Sequence, residues 1–153
     1  MITSLRILAL SIISPSLVGC AGTMAPIVNF DDEPTHRELT LEQTTKGIKL
    51  GADTAGWIVG PISENQMRAT KYARSHTVIV MIDYTADSYS INYDSSYHMK
   101  VKCEAQLDPI KPYMVTNGAS PCPGGAPPTF IHKNYNAWVQ QLNHAISAGL
   151  SAF

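Results

Sequence analysis

Between residues 109 and 128 the chain carries Pro109, Pro112, Pro121, Pro123, Pro127 and Pro128, together with Gly124 and Gly125, out of ten prolines in 153 residues. Proline has no backbone N–H to donate in a helix interior or a central strand, and its ring fixes φ. No apolar period runs through the stretch, so it reads as one long Pro/Gly-rich loop at about 103–130. Regular structure has to be assembled from the residues on either side.

Upstream of the loop, Thr40 and Gln43 make the capping-box pattern Thr-Leu-Glu-Gln, which starts a helix running to about Ala55. Leu41, Thr45, Ile48, Ala52 and Ala55 share one face, and Gly56 supplies the stop. Gly47 and Gly51 each weaken such a helix by about 1 kcal/mol relative to alanine, so packing has to hold it. Trp57 to Ile62, Gln66 to Tyr72 and His76 to Tyr84 read as strands. The last contains Thr77-Val78-Ile79-Val80-Met81-Ile82, a β-branched run too short for a typical helix and expected to be at least partly covered on both faces. In Ser88 to Asp94, Tyr89, Ile91 and Tyr93 alternate with Ser88, Ser90 and Asn92, which puts one face on a core and the other in water. A short strand at Met99 to Lys102 precedes the loop.

Beyond the loop, a second helix from about Asn134 to Ala148 extends the stripe Ile131, Tyr135, Trp138, Val139, Leu142 and Ile146. Trp138 is expected to be buried against the Val78 to Ile82 strand. The fold class is therefore α+β, a single small domain over residues 39–153. It is expected to be an antiparallel β-meander of about four strands, packed by an N-terminal and a C-terminal helix.

The N-terminus has a different character. Arg6 precedes an apolar run from Ile7 to Val18, about 12 residues against the roughly 20 that a membrane-spanning helix needs, and Pro15 interrupts it. Leu17-Val18-Gly19-Cys20 closes the run. This junction resembles the bacterial lipoprotein signal, in which a leucine, small residues and a cysteine at the end of the apolar segment direct diacylglycerol onto the thiol and cleavage just before it. The resemblance implies a signal peptide over residues 1–19 and a palmitate-type anchor on Cys20. Two or more acyl chains, at ~0.8 kcal/mol per buried CH₂, hold a protein to a bilayer essentially permanently. Ala21, in place of the aspartate that retains such proteins in the inner membrane, implies the outer membrane with the domain facing the periplasm. Residues 20–38, with Gly22, Pro26, Pro34 and the run Asp31-Asp32-Glu33, read as a flexible tether that reaches about 60 Å when extended.

Of three cysteines, assigning Cys20 to lipid leaves Cys103 and Cys122 as a pair in an oxidising compartment, where a disulfide closing the loop is expected. A structural metal is disfavoured, since the cysteines lack C-x₂₋₄-C spacing and no histidine pair has ligand spacing. Two further stretches, Arg74-Ser-His-Thr-Val-Ile-Val through Tyr89-Ser-Ile-Asn-Tyr and Ile131-His-Lys-Asn-Tyr-Asn-Ala-Trp-Val, are similar to those of small uncharacterised proteobacterial lipoproteins over roughly residues 40–150. That similarity implies a cell-envelope protein and supplies no activity. The proline-rich loop departs from the compact pattern, in which the strands lead more directly into the last helix.

No G-x-S-x-G elbow, H-E-x-x-H helix, Walker loop or G-x-G-x-x-G turn is present, so no cofactor is expected. With 11 Lys and Arg against 12 Asp and Glu the formal net charge is −1, which gives no drive toward nucleic acid. His36 and His144 read as solvent residues. His76, His98 and His132 are the candidates for a small periplasmic hydrolase, with structural hydrogen bonding as the plainer role. Tyr89, Tyr93 and Tyr97, beside Tyr84, concentrate aromatic area that either packs or meets a sugar or partner. Arg68, Lys71 and Arg74 either meet an anionic envelope polymer or keep an edge soluble. The functional expectation is a lipid-anchored envelope protein acting as a non-catalytic binding or scaffold module. Its partners would be the membrane and an envelope protein or polysaccharide. The alternatives are a hydrolase using a histidine and a lipoprotein subunit of a larger envelope assembly.

Overall fold

The computed structural model describes residues 23–103, 113–115, 122 and 126–153. The expected signal over residues 1–19, Cys20 and most of the proline-rich stretch lie outside the described residues. In chain order the elements are β1 Met24–Pro26, β2 Phe30–Pro34, α1 Leu41–Thr54, β3 Ile58–Ser63, β4 Gln66–Ala73, β5 His76–Tyr84, β6 Ser88–Tyr97, β7 Met99–Lys102, β8 Tyr113–Val115, β9 Phe130–His132 and α2 Asn134–Leu150. The expected meander is β3 to β6. It sits in a five-stranded sheet ordered β2-β6-β5-β4-β3, and a second sheet is ordered β1-β9-β7-β8, all pairs antiparallel. The architecture is thus α+β with more strands than the sequence pattern predicts.

Within the segment 20–38 expected to form a tether, Met24–Pro26 and Phe30–Pro34 are instead built into the sheets. Ala25 pairs with Ile131 and Phe30 with Ile91. Between the two strands, Ile27 N donates to Thr129 O at 3.0 Å and Val28 N to the Asn136 side-chain oxygen at 3.1 Å. Proline at 26 and 34 is tolerated because each closes a short strand that pairs on one side.

α1 starts as its capping box predicts: Thr40 Oγ1 accepts from Gln43 N at 3.2 Å, and Gln43 Oε1 accepts from Thr40 N at 2.8 Å. Its glycines have a packing purpose. A methyl on Gly47 would stand 2.8 Å from Leu150 Cδ2, and one on Gly51 would run into the Ala145 carbonyl. On the facing helix, one on Gly149 would meet the Gly47 carbonyl. The two helices therefore touch backbone to backbone, and the contact offsets the propensity that glycine gives up.

Both helices share a core with the large sheet, with Ile48 and Ala52 of α1 and Tyr135, Val139, Leu142 and Ile146 of α2 meeting Val78, Val80 and Ile82. Along β5 from Val78 to Tyr84 the even-numbered residues are buried and the odd-numbered ones half-buried, so the apolar run has a core face and a partly covered face. Trp138 is a correction. It packs at the margin of the core, half-buried, while Trp57, just before β3, takes the interior place at 2% exposure.

β6 outlasts its expected end at Asp94 and runs to Tyr97. The register shifts from Val80 opposite Tyr93 to Ile79 opposite Ser95, leaving Asp94 as the extra residue of a bulge. His98, at φ 55°, then turns the chain into β7 and the second sheet. Directly after β7, Cys103 is joined to Cys122 with Cα atoms 5.6 Å apart, both buried.

Candidate functional site

The bulge at Asp94 decides where the tyrosines go. Ahead of it, Tyr89 and Tyr93 point to the core side. Tyr89 is 2% exposed and its hydroxyl donates to Asn143 Oδ1 at 2.7 Å. Burial, then the charge of Glu33, pushes its pKa up to about 12. Tyr93 stands edge-on to Tyr135 with ring centroids 5.5 Å apart, and its hydroxyl shares a 2.9 Å bond with Ser96 Oγ. Both are packing residues, and a single ligand surface of Tyr89, Tyr93 and Tyr97 is not formed. Tyr97, beyond the bulge, pairs with Thr77 and faces outward.

On that outward face Tyr97 borders a shallow hollow of about 550 Å³ with Arg68, Thr70, Tyr72, Thr77 and Ile79. Tyr72 is 66% exposed and Ile58, opposite Thr70 in the neighbouring strand, 67%. Isoleucine and tyrosine held this open on a sheet find no packing cover among the described residues. Ile58 and Tyr72 escaped the sequence reading, which placed β3 and β4 without assigning their faces. The signal was available in the alternation Arg68, Thr70, Tyr72 against Met67, Ala69, Lys71.

The three cations considered together are separated. Arg68 is on the outward face. Lys71 is tied to the end of α1, donating to Ala55 O at 2.7 Å with its ammonium 5.7 Å from the Trp57 ring centroid, and burial lowers its pKa. Arg74 occupies the β4–β5 turn at φ 57°.

His76, His98 and His132 do gather at one end of the molecule, but around cations. His76 Nδ1 lies 2.6 Å from His98 O. His132 Nδ1 accepts from Asn134 N at 3.3 Å, which leaves the ring proton on Nε2. Burial holds the His132 pKa below the ordinary histidine value, and the neighbours His76, Lys100 and Lys133 press the same way electrostatically. A general base would instead be oriented by a carboxylate and poised near neutrality. His36 and His144 are exposed, in line with their sequence reading. Among the described residues no group of three His, Cys, Asp or Glu is placed to hold a metal ion.

Comparison of the chain with protein-family models, with curated proteins and with solved structures finds no match. The functional reading rests on the chain's own chemistry.

Proposed function

We propose that this chain is a lipid-anchored protein of the cell envelope, held to the outer membrane through Cys20, whose folded domain is a non-catalytic binding or scaffold module in the periplasm. The observation that carries the reading is the Leu17-Val18-Gly19-Cys20 junction, closing an apolar run too short to span a bilayer. Two features agree with it. The Cys103–Cys122 pair suits an oxidising compartment, and among the described residues no helix is long and apolar enough to cross a membrane. The binding half draws on the open sheet face around Ile58, Tyr72 and Tyr97.

Fractionation of cells carrying Cys20→Ser tests the anchor. The variant is expected to leave the membrane fraction or to persist as an uncleaved precursor, and a normally processed, membrane-bound variant overturns the anchor. A photo-crosslinking residue at Tyr72 tests the module. In intact envelopes it is expected to capture one discrete partner species, while the same residue at Lys49 on α1 captures none. Identical patterns at both positions refute a binding role for the sheet face.

A further inference from the structure

The net charge of −1 conceals a separation of charge along the strands. β4 and β6 end, and β5 and β7 begin, at the same end of the molecule as β9 ends. That end carries Arg74 in the β4–β5 turn, His76, His98, Lys100, His132 and Lys133. The register pairing Val101 with Ile131 carries Lys100 toward His132, and Lys100, Lys133 and His76 all act on His132 electrostatically. At the opposite end are Asp31, Asp32 and Glu33 of β2, Glu64 of the β3–β4 turn, Asp83 of β5 and Asp87 of the β5–β6 turn, with Arg37 as a counter-charge. Asp94 in the bulge is the acid of β6 nearest the cationic end.

The chain enters the fold at the cationic end. Met24 pairs with His132, and Thr23 O accepts from Lys133 N at 3.0 Å. Cys20 is three residues before Thr23, a span of about 10 Å at full extension. That length is comparable with the screening length of about 8–10 Å at physiological salt. Resting on the lipid-anchored reading above, we propose that the end of the domain bearing Arg74, His76, His98, Lys100, His132 and Lys133 lies against an anionic phospholipid surface, with the acidic end directed away from it. An anchor on Cys20 leaves too little chain for this end to stand clear of the headgroups. Placing the formal cations Arg74, Lys100 and Lys133 there makes the enforced contact attractive, and each lysine near the surface strengthens it by roughly fivefold.

The test reconstitutes the full processed chain into vesicles of phosphatidylcholine, with or without phosphatidylglycerol, and labels lysines with a membrane-impermeant acylating reagent before peptide mapping. With phosphatidylglycerol present, Lys100 and Lys133 are expected to be protected by about fivefold or more relative to Lys49. High salt or Lys100→Glu with Lys133→Glu is expected to abolish the docking, the latter read at low salt as absence of the lipid-dependent protection of His132 toward an imidazole-directed reagent. Equal labelling of Lys100, Lys133 and Lys49 in both vesicle types overturns the proposal. So does protection that arises in whole envelopes but never in pure lipid, which would assign this end to a protein partner. The anchor is read separately, as retention of the chain on phosphatidylcholine vesicles, so loss of the anchor and loss of docking give different results.

Discussion

The Tyr89 hydroxyl on β6 donates to the Asn143 side-chain oxygen on α2 across 2.7 Å of otherwise apolar core. The bond fixes how the second helix sits on the large sheet. A polar pair in such a place has to be complete, because an unsatisfied buried partner costs about 1–3 kcal/mol.

Tyr89→Phe is therefore expected to destabilise the domain by about 1–3 kcal/mol in urea unfolding, by stranding Asn143. The pair also predicts an alkaline limb. Since the folded Tyr89 pKa is raised from 10.0 to about 12, its contribution is complete below pH 10.0 and is lost as pH rises through about 12. Tyr89→Phe should flatten that part of the stability profile, and an unchanged slope would show that this tyrosine does not govern it.

The helix crossing gives a sharper contrast. Gly51→Ala pushes a methyl into the Ala145 carbonyl and is expected to cost at least about 1–3 kcal/mol. Gly60→Ala, on β3 with no atom of the described residues within 4 Å of a new methyl, should be close to neutral. Equal melting temperatures for the two variants would mean that the helices do not meet backbone to backbone.

Tyr135 is fully buried, yet its hydroxyl has no hydrogen-bond partner among the described residues, and burial with the nearby Tyr93 raises its pKa steeply. Removing an unpaired buried hydroxyl relieves a desolvation cost, so Tyr135→Phe is expected to be neutral or to stabilise by up to about 1 kcal/mol. A loss of stability would reveal a partner, such as an ordered water, and would be checked by the same melts.

Replacing Cys103 and Cys122 together with alanine is expected to cost about 3 kcal/mol by restoring freedom to the unfolded chain. Calorimetry of the double variant against the oxidised protein measures it, and reduction of the wild type should give the same shift.

The helices and the central strands were legible because each carries its own signal. Thr40 and Gln43 announced α1, the Val78 to Ile82 run announced β5, and the stripe from Tyr135 to Ile146 announced α2. β1 and β2 were not, since Met24–Pro26 and Phe30–Pro34 are edge or near-edge pairings with no period, acidic in part, and made strands by β9 and β6. The tyrosines failed for a related reason. One bulge at Asp94 reverses the facing of everything after it, and no local pattern marks that reversal. The cationic end was hidden because its members come from β5, β7, β9 and three connections, distant in sequence and brought together by register.

The bond between Cys103 and Cys122 changes what a protease cut in the segment it closes would do. A single peptide cut anywhere from 104 to 121 would leave two pieces still covalently joined, with α2 and β9 on one and the large sheet on the other. Nicked protein would keep its core and separate into fragments on a gel only after reduction. Clipping of the proline-rich stretch would then leave the domain assembled.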